Sequence, residues 1–145
     1  MKKLSLLILT AILMFSIRGY SEQCAAESIN ALTGPNKWIA LEKLILEKKE
    51  FSIDDMNGTI FTATGKTTAM VQAADELAVK KSWGIDAKKG TLTIQGYKGK
   101  YSSFIIICKD GFLRIIAYKW KNFVTKDDYS GSDYDKDYLI MGVSL

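Results

Sequence analysis

The stretch YSSFIIICKDGFLRIIAYKWK, residues 101–121, decides the architecture. Asp110-Gly111 stands between two apolar runs, the composition of a two-residue hairpin loop. Pairing Lys109 with Phe112 sets the register. Cys108 then lies opposite Leu113, Ile106 opposite Ile115 and Phe104 opposite Ala117, an apolar face that belongs to a core. The other face sets Ile107 against Arg114, Ile105 against Ile116, Ser103 against Tyr118 and Tyr101 against Trp120. A hairpin apolar on both faces is expected in the centre of a sheet, covered on both sides or curved into a barrel.

Working outward, the same alternation continues in both directions. Upstream, residues 82–86 and 91–95 read as two strands joined by Ala87-Lys88-Lys89-Gly90, and Gly96-Tyr97-Lys98-Gly99 makes the next turn. Residues 59–64 read as a strand between Asn57-Gly58 and Gly65. Downstream of a polar, acidic stretch over 125–137, residues 138–143 read as a final strand. An apolar strand there is expected to pair into the sheet to protect its own edge, and closing a barrel against an early strand is one way.

Two stretches carry conflicting signals. In residues 36–50, Trp38, Leu41, Leu44 and Ile45 share a helical face, and Thr33 with Pro35 suits a helix start. Read as a strand, Trp38, Ala40, Leu44 and Leu46 share a face that Glu42 spoils. Propensity favours the helix. In residues 68–81, Met70, Ala73, Ala74 and Leu77 form a helical stripe with Glu76 and Lys80 as an i,i+4 pair, which suggests a short helix. The expected fold is mainly β, a small antiparallel up-and-down barrel. The alternative is α+β, an antiparallel sheet with one or two helices. No repeat or low-complexity linker divides the chain, and Pro35 is its one proline.

The N-terminus reads as a secretory leader. Lys2 and Lys3 precede an apolar run over residues 4–17, Arg18 ends it, and Gly19 and Ser21 fit the small positions before a cut. The run is shorter than the roughly 20 residues that span a bilayer. The expected division is a signal peptide at 1–21, an N-terminal segment at 22–31 and one β-rich domain at 32–145. Cleavage near Ala25 and Ala26 is the later alternative. The expected location is therefore periplasmic or extracellular. Ser21, Glu22 and Gln23 fit poorly before a lipidated cysteine, so Cys24 is not read as a lipid anchor. No further run spans a membrane as a helix.

Cleavage changes the charge balance. The chain has 20 basic and 16 acidic residues, formal net charge +4. Lys2, Lys3 and Arg18 leave with the leader and no acid does, so the mature balance falls to +1. The high isoelectric point belongs largely to the leader and is not a nucleic-acid signal. Cys24 and Cys108 are the two cysteines, and an oxidising envelope lets them pair. A bond across so long a loop would stabilise by about 4–5 kcal/mol in the chain-entropy picture.

Histidine is absent. That removes the usual general base, the serine and cysteine triads and most zinc sites. Asp54-Asp55 and Asp127-Asp128 read as loop carboxylates. Asp133, Asp135 and Asp137 open like a calcium loop, but Tyr138 stands at its glycine position and Ser144 at its bidentate glutamate. Gly65-Lys66-Thr67-Thr68 lacks the earlier glycine of a phosphate loop, since Ile60 stands there. Ten basic side chains over 80–121 interleave with Tyr97, Tyr101, Tyr118 and Trp120, which reads as a lysine-rich solvent face with charges guarding strands. The expectation is a chain that is not an enzyme and needs no metal or cofactor.

Several stretches together resemble the bacterial lipocalin-like domains, small exported calycin-type barrels. Leu32-Thr33-Gly34-Pro35-Asn36-Lys37-Trp38 is similar to their Gly-x-Trp opening, with three residues between Gly34 and Trp38 where the motif has one. Residues 82–94 look like their middle hairpin and 104–117 like the later one. The resemblance implies an up-and-down barrel with Trp38 packed across its base. With it comes a non-enzymatic binding function, a small apolar ligand being held in the interior. Ile105, Ile107, Tyr118 and Trp120 are the candidate lining residues. The alternative is a protein-binding module of the envelope, such as a hydrolase inhibitor or toxin-neutralising protein, with the acidic loop at 127–137 entering a basic cleft.

Overall fold

In a computed structural model, residues 25–53, 58–73, 75–97, 99–119 and 138–145 are described. A short 3-10 helix, Ala25–Ala31, leads into helix α1, Gly34–Lys48. Eight strands follow: β1 Glu50–Ile53, β2 Ile60–Ala63, β3 Thr68–Gln72, β4 Val79–Asp86, β5 Thr91–Ile94, β6 Ser103–Lys109, β7 Phe112–Tyr118 and β8 Tyr138–Ser144. They form one antiparallel sheet in the order β5-β4-β3-β2-β1-β8-β7-β6. The protein is mainly β, with up-and-down connections and an N-terminal helical segment.

The sheet is not closed. Its two ends, β5 and the approach to β6, meet at a single isolated bridge between Leu92 and Tyr101. Each donates its backbone N–H to the other's carbonyl, at 2.8 and 2.9 Å. Tyr101 therefore pairs with Leu92; the register carried further sets it against Trp120. Trp120 lies outside the described residues.

The helix at 34–48 resolves the first conflict in favour of local propensity. Trp38, Leu41, Leu44 and Ile45 are its buried residues, spaced to form one stripe. Pro35 stands in its first turn, where a missing N–H costs nothing. Thr33 makes no side-chain cap. Lys49, at φ 65°, ends the helix, its N–H reaching the Ile45 carbonyl at 2.9 Å. Strand β1 follows at once, with Phe51 and Ile53 buried and Ser52 out.

The suggested helix over 68–81 is overturned. That stretch is β3, a connection and the start of β4. Ala69 and Val71 point into the core, while Met70 and Leu77 of the supposed stripe are exposed. Pairing with β2 on one side and β4 on the other satisfies the backbone along the strand, and this tertiary gain overrides a weak helical preference.

The hairpin holds the register read from the sequence. Lys109 pairs with Phe112, and every pair back to Ser103 and Tyr118 follows. Asp110 and Gly111 take φ 53° and 76°, as a two-residue turn of the I′ kind requires. Its place differs from the expectation: β7 is interior, but β6 is the last strand of the sheet. Strand β8 pairs with both β7 and β1, so the C-terminal strand joins the early strand as expected.

Alternation along the strands divides the buried residues into two clusters. The larger unites the helical stripe with Phe51, Phe61, Trp83, Phe104, Ile106, Ile115 and their neighbours. The smaller lies on the other face of β6–β8, where Ile116, Tyr118 and Ile140 are joined by Ile105, Ile107 and Tyr138.

Candidate functional site

The inner face of the sheet is filled by the protein itself. Trp38 from α1 meets the Phe104 ring edge-on, centroids 4.9 Å apart at 73°. Phe61 and Trp83 repeat the arrangement at 5.8 Å and 86°. The Trp83 indole N–H lies 2.8 Å from both the Gly65 and Thr68 carbonyls. Phe51, Phe61, Phe104, Leu41 and Ile45 are fully buried. Among the described residues, the helix and these rings pack into one continuous core on that face of the sheet.

Three of the four residues singled out as lining positions come together. Ile105 and Ile107 are half-buried and Tyr118 is buried, all in the smaller cluster. They lie on the face opposite the helix, because they alternate with Phe104, Ile106 and Ala117. Trp120 lies outside the described residues. So do Cys24, and with it any Cys24–Cys108 bond, the acidic loop at 127–137, and both aspartate pairs.

Of the basic side chains read as a solvated face, Lys81, Arg114 and Lys119 are half-buried. Lys80, Lys88, Lys89, Lys100 and Lys109 are exposed. Tyr101 and Tyr118 are buried, so their rings are not presented for stacking against bases. Among the described residues, no three His, Cys, Asp or Glu side chains gather as a metal-binding group.

Two shallow grooves flank α1. One, about 320 Å³, lies between the helix start and the β4–β5 turn, against Trp38, Lys88, Lys89 and Ser102. The other, about 280 Å³, runs between the 3-10 helix, α1 and Leu145. Lys37 sits near the first, its Nζ 4.9 Å from the centre of the Phe104 ring. Burial lowers its pKa from the usual lysine value of 10.5.

The outer edge of β6 is met by residues that sequence reasoning missed. The Asn30 side-chain amide donates to the Ile106 carbonyl at 2.8 Å and accepts from the Ile106 N–H at 2.8 Å. The Glu27 carboxylate accepts from the Cys108 N–H at 2.8 Å. An exposed end strand is a pairing hazard, and here side chains from the 3-10 helix occupy it. No local pattern signals such a contact, since Asn30 and Ile106 are far apart in the chain.

No family model, no curated protein and no solved structure matches this chain.

Proposed function

We propose that this chain is an exported, non-enzymatic binding protein of the lipocalin-like kind that captures a protein partner in the envelope. The observation that carries the reading is the packed inner face: α1 and the Trp38, Phe61, Trp83 and Phe104 rings join one core cluster there. Recognition then falls to the outer surface and the loops. The eight-stranded up-and-down order supports the family resemblance. The leader-like N-terminus supports export, and the absence of histidine supports a role without catalysis.

The contact surface in this reading is the acidic loop at 127–137, which complements a basic cleft of the kind a hydrolase or toxin presents. The Cys24–Cys108 bond belongs to the same proposal. Glu27, three residues along the chain from Cys24, accepts from the Cys108 backbone N–H, which supports the pairing.

Native mass spectrometry of the mature protein from its host's envelope tests the reading. A stoichiometric protein partner that is lost when residues 127–137 are deleted supports it. A small apolar molecule released on activation would replace it with the ligand-carrier reading. The same spectrum reports the disulfide as the loss of two hydrogens.

A further inference from the structure

The Asn30 contact has the form of a strand pairing. In a hydrogen-bonded antiparallel pair, one residue gives its N–H and takes with its C=O across to a single partner. The Asn30 amide does both to Ile106, at 2.8 Å each. The next position facing the same edge is Cys108, whose N–H the Glu27 carboxylate takes. The 3-10 helix that supplies these groups buries none of its own residues. Its Ala26 and Ile29 pack half-buried against the main core, and its polar groups reach the strand edge.

The strand beneath this cover suits pairing with itself. Its sequence is SFIIICK. Antiparallel pairing of two copies centred on Ile106 sets Phe104 opposite Cys108 on one face and Ile105 opposite Ile107 on the other. Ser103 falls opposite Lys109, so no like charges oppose one another. Ile106 meets Ile106 as the hydrogen-bonded pair, which is the position Asn30 now fills. Such a contact is two-fold symmetric and closes on itself, so it ends at a dimer. Phe104, Ile105, Ile106 and Ile107 give a high β-preference, and the strand's one charge, Lys109, stands at its end.

We infer that the β6 edge is a homodimerisation surface held shut by the chain's own 3-10 helix, with Asn30 and Glu27 as the groups that close it. Displacing the helix exposes the Ile106 and Cys108 backbone groups to the β6 strand of a second copy. This inference does not rest on the identity of any envelope partner.

The test compares the mature protein with its Glu27→Ala/Asn30→Ala variant, both under reducing conditions, by sedimentation velocity and residue-resolved amide exchange. The parent is expected to stay monomeric with the Ile106 and Cys108 amides protected. The variant is expected to lose that protection when dilute and regain it as a dimer forms with rising concentration. In the variant background, Ser103→Lys sets like charges opposite Lys109 twice across the two-fold. It should weaken the dimer by about two- to thirtyfold, and Ser103→Asp should tighten it. A variant that stays monomeric at every concentration overturns the inference. So does a dimer in which these two amides stay unprotected, or one indifferent to charge at position 103. Should the double variant not fold, Asn30→Asp alone serves: it keeps the acceptor for the Ile106 N–H and loses the donor to its carbonyl, and the same readouts apply.

Discussion

The Trp38 indole meets the Phe104 ring edge-on, at 4.9 Å and 73° between planes. This contact joins the first turns of α1 to the last strand of the sheet, and both side chains are buried. Trp38→Ala should cost about 3–5 kcal/mol, the range for an aromatic truncated in a core. Trp38→Phe, which keeps most of the apolar volume, should cost less. Urea unfolding followed by circular dichroism measures both. A Trp38→Ala loss below about 1 kcal/mol would mean that the helix is not seated through this contact.

Lys37 predicts a dependence on pH. Burial lowers its pKa in the folded state below 10.5. At pH values below that lowered pKa both states hold the proton, and the penalty of burying the charge is fully present. As pH rises through it, the folded state releases the proton while the unfolded chain keeps it up to about 10.5. The unfolded state then binds more protons, so this group's contribution to stability rises with pH. Parent and Lys37→Met unfolding curves compared across that alkaline window should show the rise in the parent alone. Parallel curves would place the ammonium in water rather than against the Phe104 ring.

Two glycines separate conformational strain from collision. Gly90 and Gly111 both have positive φ, 67° and 76°. An added Cβ at Gly111 meets nothing within 4 Å, whereas at Gly90 it would stand 2.9 Å from the Trp38 indole nitrogen. Gly111→Ala should cost about 1–2 kcal/mol, the left-handed penalty alone. Gly90→Ala should cost more and shift the Trp38 emission, because the ring must move. Equal losses in thermal or urea melts would show that Trp38 yields freely at that turn.

The hairpin was legible because its signals are local. Asp110-Gly111 dictates the turn, the turn dictates the register, and the register places each side chain on a face. The helical stripe of Trp38, Leu41, Leu44 and Ile45 was legible for the same reason. Residues 68–81 were not: Ala69 and Val71 supply inward strand positions, but Met70, Ala73 and Leu77 imitate a helical stripe at the same time. Only the presence of β2 and β4 on either side chooses between them. Strand β1 is too short to announce itself, with Phe51 and Ile53 its only inward residues. Ile105, Ile107 and Tyr118 were correctly grouped on one face. Which face would receive the helix was not written in the hairpin, since both are apolar.

The sequence by itself determined the local chemistry of this protein: a chain without histidine, a tight hairpin with its register, and one amphipathic helix. These follow from short-range geometry, where neighbours a few residues apart set the outcome. The tertiary structure decided that the buried stripe of α1 joins the core on the inner face of the sheet and that Leu92 bridges Tyr101. It also decided that Asn30 and Glu27 cover the end of β6. Those contacts join residues distant in the chain, and nothing in the spacing of either partner encodes the other. They form because an open sheet leaves an apolar face and a row of unpaired backbone groups, and the nearest chain able to cover them does so.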